Sequence, residues 1–292
     1  MHIACIPAYN EERTIYDVTK RCLNYVDKVI VCDDGSTDNT IKKAKDAGAI
    51  VINHEKNLGK GTALKSLFDY AKTIDTEIMI TIDGDGQFLP EQIEILMKPI
   101  IEQKADVVIG YRFNDNTEMP KYRKFGNKIL DKITNIATDS PFRDTQSGFR
   151  AYSKKAIEVI KFTADGFGAD SEILVDASKK DLQISQVPVT VIYDTGGKTS
   201  TKNPISHSGN VIVTLIELIA LRYPLRYLGI PGFLLIIIGI ISSTYVLSVF
   251  NETRYFSIPL TLMSLGFMVI GLILFMISII LFSITQTSKR SM

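Results

Sequence analysis

The sequence predicts an α/β domain with a mainly parallel sheet, followed by a two-helix transmembrane hairpin. Three observations carry that expectation. From Met1 to about Thr201, short β-rich runs alternate with amphipathic helical stretches, as strands joined by crossover helices do. Polar segments rich in Asp, Asn and Gly follow one strand after another. After Arg226 the composition changes abruptly, because from Tyr227 to Met292 the only charged residues are Glu252, Arg254, Lys289 and Arg290.

In chain order, the expected strands are "IACIP", "KVIVC", "AIVIN", "EIMITI" and "DVVIG". Between them, "EERTIYDVTKRCLNYV", "DNTIKKAKDAG" and "GTALKSLFDYAK" have helical periodicity, and a further helix starts near Pro90. Parallel neighbours need such crossovers, and ligands of open α/β sheets bind outside the carboxyl ends of the strands. The polar segments fall there: "PAYNEE", "DDGSTD", "HEKNLGKG", "DGDGQF" and "GYRFND" follow the five strands and are expected to line one rim. Beyond Tyr122 a helix "KYRKFGNKILDKITNIA", an irregular "SPFRDTQSGFRAYS", a helix near "SEILVDASKK" and strands around "LQISQVPVTVIY" are expected, then a polar loop "DTGGKTSTKNPISHSG".

Two runs of the C-terminal part, about 229–250 and 257–284, exceed the roughly 20 apolar residues that cross a bilayer. Residues 206–227 place Arg222 and Arg226 beside Tyr223 and Tyr227 and read as an interfacial amphipathic helix. The expected organisation is therefore a domain over 1–205, the interfacial helix over 206–227, membrane helices within 228–285 and a tail over 286–292. The tail sequence "TSKR" is basic while the connecting loop has no net charge, so the positive-inside rule puts both termini and the domain on the cytoplasmic side. No cleavable signal peptide is expected, since Asn10, Glu11 and Glu12 arrive before an apolar core of sufficient length.

Charge and cysteine content narrow the function. A formal net charge of +1 over 292 residues gives no electrostatic reason to expect nucleic acid. Cys5, Cys22 and Cys32 are too far apart for a Cys-x-x-Cys pair and are expected to be buried reduced thiols rather than zinc ligands.

Familiar phosphate motifs fail. "GKGTAL" lacks the last glycine or alanine of a dinucleotide fingerprint, and neither Lys60 nor Lys198 has a glycine at the spacing of a P-loop. An EF-hand also fails at Gln87 and Phe88. What remains is Asp83-Gly84-Asp85, two carboxylates on a glycine-flanked loop at a strand end, close enough to share one hard cation. Mg²⁺ or Mn²⁺ suits it, because Mg²⁺ takes one or two protein carboxylates and completes its shell with water and substrate phosphates. An isolated Asp-x-Asp also serves as a turn and a cap for the next helix, and that reading stands beside the first. In "DDGSTDNT" Asp38 can cap a helix, while Asp33 or Asp34 can accept hydrogen bonds from a base N–H or ribose hydroxyls.

Taken together, "IPAYNEE", "VCDDGSTDNT", "NLGKGTAL", "TIDGDGQFLPEQI", "VVIGYR" and "DTQSGFRAYS" resemble glycosyltransferase family 2, over roughly the first two-thirds of the chain. With the hairpin, the chain is most similar to the branch that makes polyprenyl-phosphate or dolichyl-phosphate sugars. The resemblance implies a GT-A, Rossmann-like fold. It also implies that Pro7, Tyr9 and Glu11, with Asp33 or Asp34, hold the nucleoside, and that Asp83, Asp85 and Gln87 hold the metal and diphosphate. Lys60 would close over the nucleotide, and Arg112 and Arg123 would hold phosphates, a solvated surface charge being the alternative for either arginine. Two departures stand out: Gly84 replaces a frequent alanine, and Phe88 stands where histidine is common.

The implied reaction is metal-dependent, inverting displacement at the anomeric carbon, from a nucleoside-diphosphate sugar to a polyprenyl or dolichyl phosphate at the bilayer. A sugar hydroxyl acceptor needs a general base, for which Asp144, Asp170 and Glu172 are candidates. A phosphate monoester has a second pKa of about 6 and is already a nucleophile near neutral pH. Asp144 is then expected to position loops and cations. Arg143, Lys198 and Lys202 are candidates for the acceptor phosphate, with ordinary solvated charges as the alternative. Other lipid or glycan acceptors, a processive polysaccharide synthase and a non-catalytic nucleotide-sugar-binding protein are the rivals. The absence of any tryptophan removes the Gln-x-x-Arg-Trp motif that marks the synthases. Donor sugar, base and homo-oligomerisation stay open, since neither span has a clean Gly-x-x-x-Gly face.

Overall fold

Strand β1, His2–Ala8, is the axis of the N-terminal domain. A computed structural model describes residues 1–112, 131, 134, 135, 138, 140–163, 168–192 and 223–290. The chain divides into two units, Met1–Leu215 and Ile216–Met292. In the first, β1 is followed by α1 (Ile15–Cys22), β2 (Lys28–Asp33), α2 (Thr40–Asp46), β3 (Ile50–Asn53), α3 (Lys60–Thr73), β4 (Ile78–Thr81), α4 (Ile93–Ile101) and β5 (Val107–Arg112). Then come β6 (Arg150–Ser153), α5 (Lys154–Val159), α6 (Ala169–Lys179) and β7 (Ile184–Val189).

The sheet order is β3-β2-β1-β4-β6-β5-β7. β1 pairs in parallel with both β2 and β4, so the chain reverses its direction of sheet growth at β1 and opens a crevice at the carboxyl ends there. All four crossovers that join the five expected strands follow this plan. Outside it stands β6, which inserts antiparallel between β4 and β5. It comes from the stretch read as irregular, because four residues with an arginine in the first position give too little alternation to reveal a strand. Pro188 is tolerated in β7 because that strand lies at the sheet edge.

Strand alternation builds two apolar layers. Ala4, Ile6, Val29, Val31, Ile78 and Ile80 pack with α1 and α4 on one face. Ile3, Cys5, Ile30, Cys32, Met79 and Val107 pack with α3, α5 and α6 on the other. All three cysteines are free and buried, as their placement on apolar faces requires. Burial, opposed by Arg21, pushes the Cys22 thiol up to about 12. Phe88 is a core residue, 4% exposed and packed on Phe149 with ring centroids 5.3 Å apart.

The second unit contains α7 (Ile230–Thr253) and α8 (Ile258–Arg290). Two spans, Leu225–Thr253 and Ile258–Ile284, have mean hydropathies of 2.4 and 2.9 and are long and apolar enough to cross a membrane. They pack through small residues at seven-residue spacing. Gly232, Gly239 and Val246 are the buried positions of α7, and Ser264 and Ser278 of α8 are buried too. A Cβ on Gly232 would lie 2.8 Å from the Gly271 carbonyl oxygen, and one on Gly271 would lie 2.7 Å from that of Gly232. Ser264 donates to Ser242 across the same seam at 2.6 Å. Helix α8 runs on to Arg290, beyond the expected end of the second span. Of the expected interfacial helix, residues 206–222 lie outside the described residues, and Leu225–Gly229 forms a π-helical turn.

Candidate active site

The expected rim is formed by loops that lace themselves together. Asn10 takes its backbone N–H to Ser36 Oγ at 2.8 Å and accepts from Thr37 N at 2.9 Å. Glu11 N donates to Thr40 Oγ1 at 2.8 Å, and Glu12 N donates to Asp38 at 3.3 Å. These bonds tie the segment after β1 to the loop after β2, and α1 starts at Ile15 rather than at Glu11. Asp38 accepts from Thr40 N at 3.0 Å, one residue before the N-cap of α2, which is Asn39 and makes no side-chain capping bond. Pro7 pairs in register with Cys32 near the ends of β1 and β2, and Tyr9 is 40% exposed just beyond.

Asp33 and Asp34 differ in their surroundings. Asp33 is fully buried; its Oδ2 accepts from Ser36 N at 2.8 Å, while Oδ1 has no hydrogen-bond partner. Asp34 accepts Leu58 N at 3.0 Å and His54 Nδ1 at 2.8 Å on Oδ1, and Gly59 N at 2.7 Å on Oδ2. Both oxygens of Asp34 are therefore engaged in holding the loop after β3. The unsatisfied acceptor of the pair is Asp33 Oδ1.

The Asp83-Gly84-Asp85 loop sits on a fixed bed. Thr14 Oγ1 donates to the Gly84 carbonyl at 2.6 Å, tying this loop to the segment after β1. Asp85 accepts from Gln87 N at 3.0 Å, and the Gln87 carbonyl accepts from Ile192 N at 2.9 Å. Gly148 lies against Asp83 so closely that a Cβ there would stand 2.3 Å from Asp83 Oδ2. Lys60, at the start of α3, places Nζ 2.8 Å from Asp83 Oδ1 and 3.4 Å from Asp170 Oδ2. Burial opposes its charge, yet Asp170 and Asp83 outweigh burial and hold its ammonium above the ordinary lysine value.

Negative charge accumulates in this crevice. Burial, then the neighbouring Asp83, pushes the Asp85 carboxyl up to about 6, against the Gln87 N–H, Lys60 and Arg112. Burial, then Asp85, pushes Glu11 up to about 7, with Thr14 opposing and Asp83 and Asp38 adding. Carboxylates crowded together in this way suit a divalent cation chemically. Asp83 and Asp85 are the two oxygen donors that Mg²⁺ or Mn²⁺ would take from the protein, and among the described residues no group of three or more His, Cys, Asp or Glu side chains forms a fuller metal cage. A site with so few protein donors fits a cation whose shell is completed by phosphates.

The remaining candidates group around the start of α6 and the end of β5. Arg112 and Asp144 form a bidentate ion pair, Nε to Oδ2 at 2.6 Å and Nη2 to Oδ1 at 2.8 Å. Asp170 and Glu172 are each 8% exposed in the first turn of α6. Glu172 Oε2 accepts from Thr163 N at 2.8 Å and Thr163 Oγ1 at 2.7 Å. Arg143 stands 5.6 Å over the Tyr111 ring, with its backbone N–H on Gln186. Arg123, Lys198 and Lys202 lie outside the described residues.

Sequence reading missed three residues that assemble this site. Fully buried Arg150 donates to the carbonyls of Ser147 at 2.9 Å, Asp170 at 2.7 Å and Thr145 at 2.6 Å, joining the loop before β6 to α6. Gly148 and Thr14 are the others. The signal for Arg150 was present, since an arginine opening the buried run "RAYS" must find acceptors. Contacts of Gly148 and Thr14 are made across the fold and leave no local trace.

The domain resembles known proteins in sequence and fold. A family model described as Glycosyl transferase family 2 matches residues 3–161. UDP-N-acetylglucosamine–dolichyl-phosphate N-acetylglucosaminyltransferase of Methanococcus voltae is 36% identical over 211 residues, covering 64% of this chain and 84% of that one. Glycosyltransferase AglJ of Haloferax volcanii is 32% identical over 233 residues, covering 78% of this chain and 75% of that one. Among solved structures, glucosyl-3-phosphoglycerate synthase from Mycobacterium tuberculosis in complex with UDP superposes with a TM-score of 0.59 at 25% identity, covering 75% of this chain and 80% of that one. The same enzyme in complex with Mn²⁺, UDP-glucose and phosphoglyceric acid gives a TM-score of 0.60 at 23% identity, with the same two coverages, a likeness of fold.

Proposed function

This chain belongs to glycosyl transferase family 2, has the GT-A fold and is a glycosyltransferase; from that premise we propose that it moves a hexose or N-acetylhexosamine from a nucleoside-diphosphate sugar to a polyprenyl or dolichyl phosphate at the cytoplasmic membrane face. The acceptor class is supported by relatives named as dolichyl-phosphate transferases, at up to 36% identity, and by two helices able to cross a membrane. The basic tail supports the cytoplasmic orientation.

One observation favours a phosphate acceptor over a sugar hydroxyl. Each carboxylate that could act as general base is already engaged: Asp144 by Arg112, Glu172 by Thr163, and Asp170 by Lys60. A phosphate monoester, largely dianionic near neutral pH, attacks without such a base. Asp144 then serves as a positioning residue for Arg112.

In this reading Asp33 or Asp34 holds the nucleoside, with Pro7, Tyr9 and Glu11 beside it. Asp83 and Asp85, with Gln87, would hold Mg²⁺ or Mn²⁺ and the donor diphosphate, and a divalent cation there would supply positive charge to the leaving nucleoside diphosphate. Lys60, Arg112 and Arg123 supply further positive charge to the donor phosphates. Arg143, Lys198 and Lys202 draw the acceptor phosphate toward them. The displacement inverts the anomeric centre, and the domain that performs it spans residues 1–205.

The test is turnover by the purified full-length protein in detergent, with polyprenyl phosphate, a panel of UDP- and GDP-sugars, and Mg²⁺, Mn²⁺ or EDTA. A single lipid-phosphate sugar made with metal and lost with EDTA is expected. Nucleotide release that requires a different acceptor would overturn the lipid-phosphate assignment.

A further inference from the structure

Four side chains beneath the nucleotide crevice form a network that the transfer reaction does not use directly. His54 follows β3 and is anchored by its backbone N–H to the Asp33 carbonyl at 2.9 Å. Its Nδ1 meets Asp34 Oδ1 at 2.8 Å, and its Nε2 meets Ser66 Oγ on α3 at 2.9 Å, with Cys32 Sγ 3.5 Å away. The side chains of His54 and Asp34 are only 11% and 5% exposed. An ionised carboxylate only accepts hydrogen bonds, so in the neutral ring the proton is on Nδ1 and Nε2 accepts from Ser66.

This arrangement has an Asp-His-Ser order, but Ser66 lies within α3 and Asp34 is committed to the backbone N–H groups of the loop after β3. Its consequence runs the other way, through Asp34. The same carboxylate takes the Leu58 and Gly59 N–H groups, and Gly59 is the residue immediately before Lys60. Lys60 in turn meets Asp83 at 2.8 Å. One imidazole thus sets the rotamer of the carboxylate that fixes the entry of α3, and with it the cation facing the diphosphate site.

We propose that His54 is a positioning residue for donor binding, which locks Asp34 through Nδ1–H and so holds the Leu58–Gly59 segment and Lys60 in place at Asp83. This rests on the reading of Asp83 and Asp85 as the diphosphate site. Because the ring works through one nitrogen, the two amide substitutions separate its roles. Asparagine places an N–H where Nδ1 was, whereas glutamine places its amide where Nε2 was and leaves Asp34 without its partner.

The experiment compares His54→Asn, His54→Gln and His54→Ala in the full-length protein, by UDP and GDP titration with Mn²⁺, by donor KM and kcat, and by thermal melting. For the glutamine and alanine variants the donor KM and the nucleotide Kd are expected to rise about tenfold, the scale of one lost hydrogen bond to a charged group. The asparagine variant is expected to stay within about twofold of the parent, and kcat at saturating donor to hold in all three. Equal losses in all three variants, or losses that follow melting temperature rather than hydrogen-bonding geometry, would overturn the proposal. Nitrogen-15 NMR gives an activity-independent readout: His54 is one of three histidines, and its ring is expected to be protonated at Nδ1 with Nε2 bare. The common Nε2–H form would also overturn it. A parent protein that binds nucleotide and shows the Nδ1–H ring but makes no lipid product would instead count against the proposed acceptor alone.

Discussion

Replacing Asp85 by asparagine is expected to stabilise the metal-free protein at pH 7.5 while abolishing its response to divalent cations. In the folded chain, burial and Asp83 raise the Asp85 carboxyl from 3.8 to about 6. A raised carboxyl favours the fold in its protonated form. That contribution is complete below pH 3.8, drains away as the pH rises through about 6, and above that the folded state carries the full cost of the charge. At about 1.4 kcal/mol per pH unit, the interval between 3.8 and about 6 sets a ceiling of about 3 kcal/mol, and partial exposure of the site reduces it to about 1–3 kcal/mol. Asparagine keeps the acceptor for the Gln87 N–H, which now lies at 3.0 Å, and cannot ionise. For a domain of this size each kcal/mol is worth about 2–4 °C in melting temperature. Differential scanning fluorimetry in EDTA is expected to show Asp85→Asn melting higher than the parent at pH 7.5, with the gap closing near pH 4. Adding Mn²⁺ is expected to raise the parent and leave the variant unchanged. A variant that melts lower at pH 7.5, a gap independent of pH, or an equal Mn²⁺ shift in both proteins would refute the reasoning.

Gly148→Ala is expected to displace Asp83, because its Cβ would lie 2.3 Å from Oδ2, and to abolish the Mn²⁺ shift; Gly84→Ala, whose Cβ meets Ile6 at an ordinary 3.4 Å, is expected to keep it. Asp144→Asn is expected to slow turnover less than Asp85→Asn, about tenfold against at least about a hundredfold by steady-state kinetics, since it weakens the pairing of Arg112 rather than the metal site. Lys60→Met removes the cation that faces Asp83 at 2.8 Å, so calorimetry without nucleotide is expected to show tighter Mn²⁺ binding while the affinity for the nucleoside diphosphate falls.

The strand-and-loop plan of this protein was legible because it depends on local pattern. Alternating Ile3, Ala4, Cys5 and Ile6 feed two different apolar layers, and the polar residues after each strand mark the rim. The Asp83-Gly84-Asp85 loop was legible for the same reason. Strand β6 was not, since its four residues are defined by antiparallel pairing with β4 and β5, whose partners lie far off in sequence. Nor were the different surroundings of Asp33 and Asp34: adjacent and chemically identical, they are told apart only by Leu58, Gly59 and His54 folding back onto one of them. In the hairpin, a search for glycines four residues apart overlooked Gly232 and Gly239, because the packing repeats every seven residues.

The central claim is transfer of a sugar, through its anomeric carbon, to the oxygen of a lipid phosphate. The most direct measurement uses polyprenyl phosphate labelled with ¹⁸O in its phosphoryl oxygens and follows the label by mass spectrometry. A lipid monophosphate sugar that retains all of the label is expected, released together with an unlabelled nucleoside diphosphate. A lipid diphosphate sugar with release of nucleoside monophosphate would contradict it, as that product requires attack at phosphorus rather than carbon.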